Sequence, residues 1–417
     1  MQYEEALQYI HSLEKFGIKP GMERITALCR AFGNVQERLR FIHVAGTNGK
    51  GSTSTMLANI CRCAGYKTGL FISPYVLDFR ERIQVNGEMI PKSALSDIVE
   101  RIQPVADAMR EHGESPTEFE VITAAAFLFY AESECDMVVL ETGLGGRLDS
   151  TNIIPCPEVS VITSVSLDHM AVLGNTVSEI AAEKCGIIKT GGTTVSYPYQ
   201  NPEALSVIRR TAQERENTLI VPDGETIEII NESIFGTDAV IDGLCVHIPM
   251  LGRHMVYNAS MAVAAARSMG ICDAHIARGV AESRMPARME VLREQPLTII
   301  DGGHNEDCAN ALRNAVNRFL PHRKIIGICG LMADKAYETY LSIVAPLFSA
   351  LVTVTPDNPR ALSAEALCEA AKPYCANVTA AHSFKEACAF ARAQAGEDGV
   401  VLACGSFYMV ADLEKNL

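Results

Sequence analysis

Residues Val44-Ala45-Gly46-Thr47-Asn48-Gly49-Lys50-Gly51-Ser52-Thr53 place three glycines, one lysine and a hydroxyl pair directly after the apolar run Phe41-Ile42-His43-Val44. A strand, a tight glycine turn and a helix start in that order expose backbone N–H groups to an anion, and a lysine adds a point charge. The chemistry is that of a phosphate cradle for a nucleoside triphosphate. The spacing is not the G-x-x-x-x-G-K-[ST] pattern, which needs glycine at Val44 and a hydroxyl residue at Gly51. The ordinary reading, a tight connection, explains the glycines but not the T-N-G-K-G-S-T run.

Four further groups sit at the ends of apolar runs. Met137–Leu140 leads into Glu141 and the turn Thr142-Gly143-Leu144-Gly145-Gly146-Arg147-Leu148-Asp149. An acid there suits Mg²⁺ at a phosphate; the alternative is an exposed strand-end glutamate. Val161-Ile162-Thr163 runs on to Asp168-His169, where the histidine is either structural or a metal ligand. Thr298-Ile299-Ile300-Asp301 turns through Gly302-Gly303 to His304-Asn305, with Asn305 suited to cap a helix. That is either a plain β-α turn or a pair of groups for a ribose or phosphate. The segment Ser73–Ile83 brings in Arg80 and Arg82, set on a mobile connection or against a substrate carboxylate. In Glu179–Lys189, Lys184 reads by itself as a solvent-facing lysine at a helix end.

The elements that must hold these groups alternate. Phe41–Ala45, Thr68–Ile72, Met137–Leu140 and Val159–Thr163 are apolar β runs. Ser52–Ala64, Phe119–Ala131 and Val177–Cys185 read as the helices between them. Such alternation predicts a parallel sheet covered on both faces, with ligands at the carboxyl ends of its strands. Residues 226–248 read as a small antiparallel flap, followed by a helix over Val256–Met269. Ser283–Arg288 forms a joint in which Pro286 ends the preceding element. A second series follows, with strands at Leu297–Ile300, Lys324–Ile328, Leu351–Thr355 and Val400–Ala403. Its helices are expected at Asp307–Phe319, Ala336–Phe348, Ala364–Ala371 and Phe384–Ala395.

Bulk properties bound the function. The chain has 417 residues, 48% hydrophobic and 21% charged, enough for about two or three globular domains. A net charge of −14 argues against nucleic acid or an anionic membrane as partner. No apolar run approaches the length of a membrane span, and the N-terminus lacks a signal-peptide pattern. The 14 cysteines include no C-x-x-C and read as reduced core fillers, so a cytoplasmic location is expected.

Together the motifs resemble the folylpolyglutamate synthase/dihydrofolate synthase family of the Mur ligase superfamily. The matching segments include GTNGKGST (46–53), SPYVLDFRERIQVNG (73–87), FEVITAAAF (119–127), ETGLGGRLDSTN (141–152) and ITSVSLDHMAVLGNT (162–176). They continue with IAAEKCGIIK (180–189), LGRHMVYNA (251–259), MPARME (285–290), DGGHN (301–305) and ADK (333–335). The resemblance implies an α/β fold: a P-loop NTPase-like, doubly wound N-terminal domain (1–284), a linker (285–288) and a smaller Rossmann-like C-terminal domain (289–417). ATP and substrate are then expected between the domains.

By the same resemblance Gly46, Thr47, Asn48, Gly49, Lys50, Gly51 and Ser52, with Asn258, Arg288 and Asp301, match ATP-contacting positions. Ser73, Glu141 and His169 match ligands of Mg²⁺, with two sites expected. Lys184 matches a lysine carbamylated by CO₂, and Lys50, Lys184, Asp301 and His304 match positions close to the chemistry. Arg80 and Arg82 are the candidate substrate-binding residues. Thr142, Cys185, Ala287 and Tyr75 depart from the commoner valine, alanine, glycine and histidine.

The activity implied is ATP-dependent amide synthesis. A carboxylate of reduced folate, or of dihydropteroate, is activated as an acyl phosphate and trapped by L-glutamate, giving ADP and phosphate. The expected partners are these small molecules, with no nucleic acid or membrane, and the expected state is a monomer. The rival readings are a Mur-type ligase acting on a cell-wall precursor and a nucleotide-gated binding module without ligase chemistry.

Overall fold

The computed structural model describes all residues except 14–19, 76–77, 286, 288, 334, 359, 410–411 and 414–417. Pro286, Arg288 and Asp334, all within motifs quoted above, lie outside the described residues. The chain forms two compact units: Met1–Ile230 with Asp238–Ile248 and Arg253–Ser283, and Asn231–Thr237 with Pro249–Gly252 and Arg284–Leu417.

The first unit opens with α1 (Tyr3–Ser12) and α2 (Glu23–Ala31), then β1 (Phe41–Ala45), α3 (Lys50–Cys63), β2 (Thr68–Phe71), β3 (Ile83–Val85), β4 (Glu88–Met89), α4 (Lys92–Glu111), α5 (Glu118–Glu132) and β5 (Met137–Glu141). It continues through β6 (Val159–Ile162), α6 (Met170–Leu173), α7 (Val177–Lys184), β7 (Thr193–Ser196), α8 (Pro202–Glu214) and β8 (Thr218–Ile220). These strands make one eight-stranded sheet of order β4-β3-β2-β5-β1-β6-β7-β8. From β2 to β8 every pairing is parallel. Only β3 and β4 run antiparallel, at one edge.

Apolar strands flanked by helices explain this arrangement. β1 and β5 are buried along their whole length, which requires cover on both faces. Chain order reverses across β1, because α3 leads to β2 on one side and β5 is followed by β6 on the other. Ligand crevices in open α/β sheets form at such reversals, outside the strand carboxyl ends. In the β1–β5 pair Val44 lies opposite Glu141, which puts the glycine turn after β1 and the strand-end acid side by side.

A separate three-stranded sheet follows, β9 (Glu228–Ser233), β10 (Gly236–Ile241) and β11 (Leu244–Ile248). Helices α9 (Arg253–Ser268) and α10 (Asp273–Ala281) close the first unit, with α10 packed on α3.

The second unit carries β12 (Glu290–Glu294), β13 (Leu297–Asp301), α11 (Glu306–Phe319), β14 (Ile325–Cys329), α12 (Tyr337–Val344), β15 (Ala350–Thr353), α13 (Ala364–Ala371), β16 (Val378–Ala380), α14 (Phe384–Ala395) and β17 (Val400–Cys404). Its sheet order is β12-β13-β17-β14-β15-β16, parallel except for β12 on β13. The core beneath it joins Ile299, Leu312, Tyr340, Leu351, Leu367 and Leu402.

Three differences from the sequence reading have physical causes. The helix expected over Ala336–Phe348 stops at Val344 and tightens into a 3₁₀ turn, Ala345–Leu347. Pro346 has no N–H to continue the ladder. The helix after the glycine turn starts at Lys50 rather than Ser52, because Gly49 in the left-handed region serves as its N-cap. Strands β3, β4, β7, β8, β12 and β16 were not anticipated, because each is short or carries polar residues such as Glu88, Arg293 and Glu294 rather than an apolar run.

Candidate functional site

The candidate phosphate loop is built by β1 feeding α3 through residues 46–49. Gly49 takes the N-cap position of α3 at φ +86 and brings no capping side chain of its own. A left-handed φ favours glycine, and a Cβ at Gly49 would meet Asn258 Oδ1 at 2.6 Å. At Gly46 a Cβ would meet Thr163 Oγ1 at 1.7 Å, so this loop is pressed against the end of β6. Thr47 N donates to Ser164 O at 2.8 Å, and Asn48 bridges the same residue. Lys50 Nζ lies 3.2 Å from Gly46 O and 3.3 Å from Thr47 O, folded back over its own loop. Gly51 and Ser52 lie in the first turn of α3, where the Ser52 hydroxyl accepts from Asn258 Nδ2 at 2.9 Å. Asn258 is buried on α9, so a residue 206 positions distant fastens the helix start.

Glu141 ends β5 and is 4% exposed, which overturns the exposed strand-end reading. Burial pushes its carboxyl pKa up to about 7, against the pull of Lys50 and of the Ser73 N–H. Ser73 N donates to Glu141 Oε2 at 3.1 Å, and Ser73 Oγ accepts from Arg82 Nη1 at 3.2 Å. A buried carboxylate and a hydroxyl side by side are hard oxygen donors, which fit Mg²⁺. His169 does not join them in a ready cage. It is 54% exposed at φ +46, with Nε2 3.6 Å from Asp168 Oδ1. Among the described residues no group of three or more His, Cys, Asp or Glu is placed to hold a metal. Magnesium ordinarily completes its shell with water and phosphate oxygens.

Lys184 is not a solvent-facing lysine. It ends α7, is 2% exposed, and donates from Nζ to Gly46 O at 2.8 Å. The capping box of Thr176 and Glu179 sets the start of α7 and so its reach. Burial, then the nearby Lys50 charge, lower the Lys184 pKa to about 8, while Asp168 and Asp149 pull the other way.

A cavity of about 540 Å³ opens in the first unit, with Ser73, Arg82, Phe119, Arg147, Asp149 and Leu173 among its lining residues. Of the two arginines in the 73–83 segment, the structure brings only Arg82 to it. Arg82 lies over the rings of Tyr75 and Phe79 at 5.3 and 5.4 Å, and Nη2 is 3.7 Å from Glu118. Its buried Nε has no hydrogen-bond partner among the described residues. Arg80 instead clamps Asp78 through Nε and Nη2. Helix α5 supplies Phe119 and is fixed by the Thr117–Glu120 capping box, whose Glu120 pairs with Arg24 at 3.0 Å. Phe119, Arg147 and Asp149 lie inside quoted motifs, yet no local signal marks them as cavity walls.

In the second unit Asp301 ends β13. Its Oδ1 accepts from Gly303 N at 2.9 Å and its Oδ2 from Met289 N at 3.1 Å. His304 Nδ1 lies 3.3 Å from Gly302 O, and Asn305 caps α11 through Cys308 N at 2.9 Å. The turn is thus a strand-end acid followed by a capped helix start.

Two family models match the chain: the Mur ligase middle domain over residues 44–266 and the Mur ligase glutamate ligase domain over 287–407. The chain is 35% identical to dihydrofolate synthase/folylpolyglutamate synthase of Bacillus subtilis, covering 100% of this chain and 99% of that one. It superposes on folylpolyglutamate synthase of Thermotoga maritima with a TM-score of 0.88, at 30% identity over 99% of this chain and 96% of the other. Escherichia coli FolC in complex with DHPP and ADP gives a TM-score of 0.81 at 29% identity, over 100% and 97% of the two chains. No helix among the described residues is long and apolar enough to cross a membrane.

Proposed function

This chain belongs to the dihydrofolate synthase/folylpolyglutamate synthase family of Mur ligases, and we propose that it is an ATP-dependent, ADP-forming ligase that joins L-glutamate to the carboxylate of reduced folate and of dihydropteroate. The observation that carries this reading is the double use of Ser73. Its N–H holds Glu141 beside the phosphate loop, while its hydroxyl and Arg82 line the cavity. Phosphate-binding and acceptor-binding surfaces thus share one residue.

The chemistry follows from the groups present. A carboxylate is a poor electrophile, so its oxygen first attacks the γ-phosphate of ATP and ADP leaves. The first-turn N–H groups of α3 and the Lys50 ammonium stabilise charge spreading over the transferred phosphoryl group. Arg82 orients the acceptor from the cavity wall. The glutamate amine then attacks the acyl phosphate carbonyl, the acyl C–O bond breaks and phosphate leaves. Asn258 and Asp301 are assigned to ATP, and His304 to the neighbourhood of the reaction.

Ser73 and Glu141 would hold one Mg²⁺, which neutralises phosphate charge when bound; His169 and a carbamylated Lys184 would serve a second. The depressed pKa of Lys184 supports the modification, because CO₂ adds only to the neutral amine. Residues 1–284 are assigned to ATP and acceptor binding, 285–288 to the linker and 289–417 to the glutamate ligase domain. The protein is assigned to the cytoplasm as a monomer that uses small molecules, without nucleic acid or membrane.

The test offers Mg-ATP and glutamate with dihydropteroate, tetrahydrofolate or a UDP-muramyl peptide precursor, read by mass spectrometry. Gain of one glutamyl residue on the pteridine compounds, with ADP release requiring acceptor and glutamate together, is expected. Extension of the muramyl compound alone, or ADP release indifferent to both co-substrates, would falsify the assignment.

A further inference from the structure

Strand β1 carries a side chain that the chemistry above leaves unused. His43 is completely buried, with Nε2 2.8 Å from Thr151 Oγ1. Its Nδ1 has no hydrogen-bond partner among the described residues. Thr151 is also completely buried, and its hydroxyl lies 2.6 Å from Asp149 Oδ1. Asp149 accepts further from Thr151 N at 3.0 Å and from Leu144 N at 2.7 Å, and it lines the 540 Å³ cavity.

The direction of this chain of bonds is fixed by proton counting. Three donors converge on Asp149, which suits the ionised carboxylate, an acceptor only. Thr151 has one hydroxyl proton and gives it to Asp149. Its oxygen must then accept from His43, so the imidazole proton is on Nε2. The bare nitrogen is Nδ1, the one without a partner. The opposite tautomer would set two acceptors against each other and bury an unpaired N–H.

We propose that His43 is a positioning residue: through the one-way relay His43 Nε2–H to Thr151 to Asp149, it holds the Asp149 carboxylate in the cavity wall as a fixed hydrogen-bond acceptor. The relay ties the strand that feeds the phosphate loop to the turn that shapes the acceptor cavity. Its consequence for turnover rests on the ligase reading; its consequence for the imidazole does not.

Two measurements test it. In the ligand-free protein, ¹⁵N-detected histidine spectra should show His43 neutral with the proton on Nε2; a proton on Nδ1 overturns the relay. In steady-state kinetics with the folate-type acceptor, His43→Leu and Thr151→Val should each raise the acceptor KM about tenfold while kcat and the ATP KM stay within about twofold. His43→Gln, which keeps an N–H donor, should recover most of the loss. Equal defects in the Leu and Gln variants, or a defect falling on the ATP KM, would show His43 to be packing only. A wild-type chain that extends no folate-type acceptor defeats the ligase reading, and the spectrum then judges the relay alone.

Discussion

Lys184 Nζ donates to the carbonyl oxygen of Gly46 at 2.8 Å, so the last residue of α7 is fastened to the first glycine of the turn between β1 and α3. The two residues are 138 positions apart. An ammonium in this place loses hydration and faces the Lys50 charge, and its pKa falls to about 8.

The sign of the resulting stability effect is defined. An unfolded lysine titrates near 10.5 and the folded one near 8. Between these values the unfolded chain binds more protons, so this group makes stability rise with pH from about 8 to about 10.5. Below about 8 its contribution is constant. Chemical denaturation across that range should show the rise in wild type and a flatter curve in Lys184→Met. Parallel curves would refute the buried placement.

The same shift bears on CO₂ addition. At pH 7 about a tenth of the side chain is the neutral amine, against well under a thousandth for an unshifted lysine. Bicarbonate should therefore stimulate activity more at pH 8 than at pH 6.5. Lys184→Ala should lose about 100-fold or more in kcat and regain part of it with a short carboxylate. Full activity in the variant, with no response to the carboxylate, rejects the role.

Gly49→Ala places a methyl group against Asn258 and forces alanine to φ +86. Nucleotide affinity should fall about 100-fold, or the helix start should shift, as read by calorimetric titration with an ATP analogue. Unchanged affinity would show that the turn tolerates displacement and does not grip phosphate.

Arg82 and Arg80, two residues apart, should behave differently. Arg82→Ala removes a cavity-lining guanidinium and should raise the acceptor KM about tenfold or more. Arg80→Ala breaks a partly exposed pair with Asp78 and should change stability by less than about 1 kcal/mol, with acceptor KM held. Equal KM effects would remove the distinction drawn from the cavity.

Ala287 stands at φ +54 and is completely buried. Left-handed backbone costs alanine about 1–2 kcal/mol, and the extra freedom of unfolded glycine offsets about 0.4–1 kcal/mol of that. Ala287→Gly should thus stabilise the protein by about 0.5–1 kcal/mol in denaturant titration. Destabilisation would mean that the methyl group packs better than its strain costs.

The strand, glycine turn and helix over Phe41–Cys63 were legible because they are contiguous, and each local preference points the same way. Glu141 was legible for the same reason: an apolar run that ends in an acid puts that acid at a strand tip. The alternation of such units determined the α/β class and the parallel sheets. Burial and pairing between distant segments were not contained in any window of sequence. Lys184 reads locally as a surface residue, and only the packing of α7 against the loop inverts that. Arg80 and Arg82 read alike, and the fold turns one to Asp78 and the other to the cavity. The His43–Thr151 contact joins residues 108 positions apart. Such relationships exist only after strands register and helices pack, because charge, solvation and hydrogen-bond direction depend on neighbours that the chain brings together from afar.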